Sequence, residues 1–174
     1  MTRVLLVTGA RSLADDRDAE AWARGLIAAA LVGVDLLIVG DAPGPDAWAW
    51  EIARDTVREQ RQYCTRSGHA GDVRVRFRST VADTRRSTPR WSTWRWALPG
   101  ASTHPLVRNA VMVIDVAEVS LSRHLIAGVL ALLDGRKPAK PKPGEKRPTR
   151  GTEHTARLAR DAGLTVDAQT WGSR

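Results

Sequence analysis

The stretch RVLLVTGARS, from Arg3 to Ser12, sets the architecture of the chain. Val4, Leu5, Leu6 and Val7 follow one another without polar alternation, the pattern of a strand buried on both faces. Gly9 closes the run, and Gly9-Ala10-Arg11-Ser12 predicts a turn. Asp15 or Asp16 then caps a helix in which Ala19, Trp22, Ala23, Leu26, Ile27 and Ala30 recur at helical spacing, to about Val32. A buried strand, a glycine turn and an amphipathic helix are the first half of a parallel crossover.

The alternation continues outward. Asp35–Gly40 (DLLIVG) predicts a second buried strand. Pro45 opens a helix read to about Gln62, with Ala49, Ile52, Ala53 and Val57 facing inward. Val73–Ser79 alternates apolar residues with Arg, which predicts a half-exposed or edge strand. Thr80–Thr103 has no period and holds Trp91, Trp94 and Trp96. Pro105–Leu125 predicts a helix, and Gly128–Leu133 (GVLALL) a fourth buried strand. Gly151-Thr152 opens a helix over Glu153–Ala162 with Gly163 as its cap, and Leu164–Ala168 is a short last strand. Strands separated by helices define an α/β fold: a Rossmann-like, doubly wound, mainly parallel five-stranded sheet with helices on both faces. The whole of 1–174 reads as a single domain with long loops at 80–104 and 134–150.

Composition excludes several classes. Hydrophobic residues make 43% and charged residues 26%, too balanced for a disordered chain. No apolar run approaches ~18 residues, so no membrane partner is expected. The amino-terminal run is interrupted too early for a secretory signal, and the expected location is cytoplasmic. One cysteine, Cys64, excludes an intrachain disulfide and a four-cysteine zinc site. His69, His104, His124 and His154 show no ligand spacing, so neither metal nor cofactor is expected. The net charge of +8 is uneven: Arg54–Arg95 carries +7 and Arg136–Arg150 carries +6, with all four lysines in the second stretch. Two basic surfaces on a mildly acidic body suit a polyanion.

In an open α/β sheet, ligands sit beyond the carboxyl ends of the strands, where strand order reverses. That directs attention to three turns. Gly9-Ala10-Arg11-Ser12 offers close backbone approach plus Arg11 and Ser12 for phosphate oxygens, without the GxGxxG fingerprint. Gly40 to Asp46 offers Gly40, Gly44 and a carboxylate that either caps the next helix or reaches ribose hydroxyls. Trp48 and Trp50 follow, one expected in the core and one beside a pocket. Arg108 and Asn109 lie in the first turn of a helix, where a cation opposes the helix dipole unless an anion is present. Arg108 otherwise pairs with an acid such as Asp115 or Asp161. Gly151-Thr152 is either a phosphate cradle or a plain N-cap.

Taken in order, these pieces resemble the SLOG superfamily, in particular its YspA-like branch, related to the LOG phosphoribohydrolases and DprA. The resemblance rests on VTGARS (Val7–Ser12), VGDAPGPDAWAWEIA (Val39–Ala53), HPLVRNAVM (His104–Met112) and GTEHTARLARDAGLTV (Gly151–Val166). It implies a Rossmann-like fold that binds a nucleotide or nucleotide-derived ligand. The implied pocket is Gly9, Arg11, Ser12, Gly40, Gly44, Asp46, Arg108, Asn109, Gly151 and Thr152. LOG enzymes carry PGGxGTxxE, whose Glu and a helix Arg serve N-glycosidic cleavage. Arg108 matches that Arg, but the Glu position falls on Thr155. Glu153 is two residues early, about 160° away around the helix. Cleavage by Arg108 and Glu153 is therefore the alternative to binding. The long basic segment replaces PGG, and Trp91, Trp94 or Trp96 would supply base stacking. The resemblance also implies a homodimer, and the analogy with DprA adds single-stranded nucleic acid as a partner of the basic loops.

Overall fold

The computed structural model describes residues 3–65, 73–79, 90–94, 105–136 and 151–172. Its strands are β1 (Arg3–Gly9), β2 (Leu36–Gly40), β3 (Glu59–Thr65), β4 (Val73–Ser79), β5 (Arg90–Trp94), β6 (Ile126–Asp134) and β7 (Thr165–Trp171). Its helices are α1 (Arg17–Ala30), α2 (Pro45–Ile52), α3 (Pro105–Arg123) and α4 (Gly151–Asp161). All seven strands form one sheet in the order β5-β4-β3-β2-β1-β6-β7. The run from β3 to β7 is parallel throughout, whereas β3–β4 and β4–β5 are antiparallel.

The apolar run that opened the sequence is an interior strand, β1, between β2 and β6. Val4, Leu5, Leu6 and Val7 are all buried, because β1 is paired on both edges and covered on both faces. Leu5 and Val7 pack with Leu37 and Val39 against Ala19, Ala23 and Ile27 of α1 and Trp48 and Ala49 of α2. Val4 and Leu6 pack with Leu36 and Ile38 against Met112 and Val116 of α3 and Ala159 of α4. Alternate residues of one strand thus build two cores, with α1 and α2 on one face and α3 and α4 on the other. Asp16 is the cap of α1, its carboxylate accepting from the backbone N–H of Asp18 and Ala19. Among the described residues no helix is long and apolar enough to cross a membrane.

Five expectations change. The sheet has seven strands rather than five. The helix read from Pro45 to Gln62 stops at Ile52; a 3-10 turn (Ala53–Asp55) and a short connection follow, and Glu59 to Gln62 belong to β3. Gln60 is fully buried at the start of that strand, and its amide donates to the carbonyl of Ala53 at 2.7 Å. A polar side chain that closes the preceding helix end disguises the strand. Val73–Ser79 is the half-exposed strand of the two alternatives and not an edge, and the stretch read as irregular holds β5, which pairs beyond it. The last strand extends past Ala168 to Trp171, whose ring stacks on Trp22 with centroids 5.5 Å apart. Trp48 and Trp50 are both buried rather than divided between core and pocket. Arg24 covers the ring of Trp48 and Arg78 that of Trp50.

Candidate functional site

β1 lies between β2 and β6, and α1 leaves it on the face opposite α3. Strand order therefore reverses beside the carboxyl end of β1, the place where open α/β sheets bind their ligands. Gly9 ends the strand with no side chain because α2 sits directly over it: a Cβ at Gly9 would lie 2.2 Å from Cγ of Pro45. Gly44, at φ +90°, makes the sharp entry into α2. Pro45 then occupies the first turn and Asp46 follows.

Asp46 is 2% exposed, and its Oδ1 accepts the backbone N–H of Gly9 at 3.2 Å. Burial raises its pKa to about 6, against the lowering effect of Arg108 and of the N–H groups it accepts. Asp46 and Arg108 approach each other over Gly40, where a Cβ would lie 2.4 Å from Asp46 Oδ2 and 3.0 Å from Arg108 Cζ. Only glycine leaves room for this meeting at the end of β2.

Arg108 is 5% exposed, near the start of α3. Its Nη1 pairs with Asp41, not with Asp115 or Asp161. Its Nε and Nη2 donate to Asn109 Oδ1 at 3.3 and 3.2 Å. Asn109 Nδ2 donates to the carbonyl of Gly151 at 3.2 Å, and Thr155 Oγ1 donates to that same carbonyl at 2.9 Å. One hydrogen-bonded chain thus joins the turn after β2 to the first turns of α3 and α4. Its buried side chains Arg108, Asn109 and Thr155 are held by these bonds, Asp46 is held by the Gly9 N–H, and Thr152 is buried as well.

The sequence-derived set divides. Gly9, Gly40, Gly44, Asp46, Arg108, Asn109, Gly151 and Thr152 gather around this chain or shape its backbone. Arg11 is exposed on a 3-10 turn over 11–15. Ser12 belongs to a neighbouring cluster: its Oγ donates to Asp134 Oδ2 at 2.6 Å. Arg136 also bonds Asp134, together with Asp16 and the carbonyl of Ser12. Arg136 and Ser12 hold the Asp134 carboxyl down to about 2, and the cluster staples the end of β6 to the cap of α1. Glu153 is exposed on α4, while Thr155, at the place of the expected carboxylate, is fully buried. Trp91 and Trp94 are strand residues of β5, but their side chains, and all of Trp96, lie outside the described residues. So do the residues 137–150 of the basic segment.

Sequence reasoning missed Asp41, Gln62, Cys64 and Arg76. Gln62 Nε2 donates to the carbonyl of Gly40 at 3.4 Å and stands opposite Arg76 in the β3–β4 register. Burial and the charge of Asp41 push the Cys64 thiol up to about 11, so it is no nucleophile at neutral pH. A second polar cluster lies on the α3 face, where Asp115 accepts from both Arg61 and Tyr63 beside a cavity of about 200 Å³. No protein-family model and no curated protein sequence matches this chain.

Proposed function

We propose that the chain is a Rossmann-like domain of SLOG type that binds a nucleotide or nucleotide-derived small molecule in the crevice beyond β1 and β2. The observation that carries this reading is Arg108. A buried guanidinium in the early turns of a helix opposes the helix dipole and is desolvated. Asn109 orients it, and its charge is answered by Asp41, on the surface turn after β2. Such a group is suited to an entering phosphate, which would take bidentate hydrogen bonds from it. In this reading Asp46, across Gly40, takes a ribose hydroxyl, and the first N–H groups of α4, beside Asn109, take further phosphate oxygens.

Binding is favoured over N-glycosidic cleavage by the character of Thr155. Its hydroxyl is committed to the Gly151 carbonyl and is buried, so no carboxylate stands at that position. The test is to incubate the protein with nucleoside mono- and diphosphates and cyclic nucleotides, take native mass spectra and chromatograph the small molecules. An intact nucleotide retained by the wild type and lost by Arg108→Gln is expected. Free base with ribose phosphate would assign cleavage instead, and no retention of any of them would refute the reading.

A further inference from the structure

Arg108 already carries two partners. Its Nε and Nη2 donate to Asn109 Oδ1, and its Nη1 pairs with Asp41. Asn109 takes one edge of the guanidinium fork. Asp41 takes a nitrogen of the edge that a bidentate anion would use. The members of the ion pair differ in where they stand: the Arg108 side chain is 6% exposed and that of Asp41 28%. Asp41 is therefore the partner that meets solvent, in the turn between β2 and α2. The turn itself is pinned, because the next residue, Ala42, is buried and Asp46 accepts its backbone N–H. Asp41 can leave Arg108 by rotating its side chain, with the backbone of the crevice left in place.

Charge decides whether an anion can be added beside Asp41 or has to replace it. Asp46 lies across Gly40 from Arg108, and its carboxyl responds to both neighbours: Arg108 lowers its pKa and Asp41 raises it. Titrating at about 6, that carboxyl is mostly ionised at neutral pH. One guanidinium thus faces two carboxylates. Arg76, on β4, is the other cation of the neighbourhood; it is itself engaged, and its charge reaches Cys64 together with those of Asp41 and Arg108. A phosphate brought in with Asp41 in place would be a third anion around Arg108, where like charges repel far more than in water. Replacement avoids that repulsion, but it exchanges one charge-assisted contact for another, and a bare anion gains little by it.

We propose that Asp41 is an internal competitor for Arg108, a carboxylate latch that sets the affinity threshold of the crevice. It weakens every phosphate ligand by the same factor. Inorganic phosphate, whose contacts end with Arg108, then falls below occupancy, while a ligand with further contacts to Asp46 and α4 stays above it. Discrimination comes from what the phosphate has to displace. This rests on the nucleotide reading above, which supplies the contacts beyond the phosphate.

The experiment is calorimetric titration of the wild type and Asp41→Asn with inorganic phosphate and, separately, with nucleoside monophosphates, at constant ionic strength. Asp41→Asn should bind inorganic phosphate about tenfold more tightly than the wild type, the size of one charge-assisted contact. Nucleoside monophosphates should tighten by the same factor. Asp41→Glu, which keeps the charge, should show no gain. Urea unfolding gives a second readout: phosphate should stabilise Asp41→Asn more than the wild type, and adding Arg108→Gln to that variant should remove the difference. An Asp41→Asn protein that folds in phosphate but not in chloride would show the same exchange. Unchanged or weaker phosphate binding, a gain that survives Arg108→Gln, or failure to fold in phosphate and chloride alike would make Asp41 a fixed structural partner of Arg108 and overturn the latch. Tighter phosphate binding with no nucleotide held by either protein would keep the latch and refute the nucleotide reading.

Discussion

Replacing Asp46 by Asn should make the fold more stable relative to the wild type as the pH rises. The folded carboxyl titrates at about 6 and its ordinary value is 3.8. The native state therefore holds this proton more tightly than the unfolded chain. Stability from this group is full below 3.8 and is lost as the pH climbs through 6. A shift of this size corresponds to about 3 kcal/mol in total, of which about 2 kcal/mol develops between about pH 4.5 and pH 7.5. Asn can still accept the Gly9 N–H, but it carries no charge to desolvate. Any fixed penalty of the amide near Arg108 cancels when the same pair of proteins is compared at two pH values. Urea unfolding of both at about pH 4.5, 6 and 7.5 reads the difference. The wild type should lose about 2 kcal/mol to the variant across that range. A difference that stays flat, or that moves in favour of the wild type, would refute the account of Asp46 as a carboxylate held against its solvation. On the proposed function, the same variant should also bind nucleotide more weakly, because the amide loses the charge that would attract a ribose hydroxyl.

Other perturbations separate the roles of neighbouring residues. Gly9→Ala drives a methyl into the Pro45 ring, which cannot rotate away, so thermal or urea unfolding should show a loss of about 2 kcal/mol or more. Asp134→Asn should be less stable than the wild type by about 1 kcal/mol at neutral pH, after allowance for solvent screening. That deficit should vanish as the pH falls from 3.8 toward 2, because Arg136 and Ser12 depress this carboxyl and its contribution disappears on protonation. Tyr63→Phe removes the hydroxyl that donates to Asp115 and should cost about 1 kcal/mol in urea unfolding while leaving nucleotide binding unchanged.

What could be read in the amino-acid sequence was set by how apolar each element is. β1, β2 and β6 announce themselves because strands buried on both faces need unbroken Val, Leu and Ile. β3 does not, since its α2 face carries Gln60, Gln62 and Cys64, and its Arg61 lies beneath Phe77 on the other face. Those polar residues are satisfied by partners at the end of α2 and on α3, β2 and β4 that no local pattern reveals, and the helical spacing of Ile52, Ala53 and Val57 runs straight into them. β5 was hidden for a similar reason: a strand paired only to an Arg-rich neighbour needs no apolar alternation of its own. In the crevice, Asp46, Arg108 and Asn109 were legible because each violates or exploits the charge preference of a helix start. Asp41 was not, though a signal existed. It is the first carboxylate after a strand ending in glycine, and a buried guanidinium requires such a partner. Gln62 and Arg76 became visible only once β3 was known to be a strand.

The position of β1 has a consequence for how the chain is made. β1 is an interior strand of the sheet made ahead of the other six, and one of its two neighbours, β6, starts more than a hundred residues later, with Arg3 opposite Ile126. Until that segment has been synthesised, a nascent chain that has already paired β1 with β2 presents an uncovered edge of Val4, Leu5, Leu6 and Val7, without charge or proline to deter a stranger. The face that α3 will cover is bare over the same interval. The vulnerable period in the life of this protein is the interval between the synthesis of β1 and that of β6, when another emerging copy of RVLLVTG is the most compatible partner in reach.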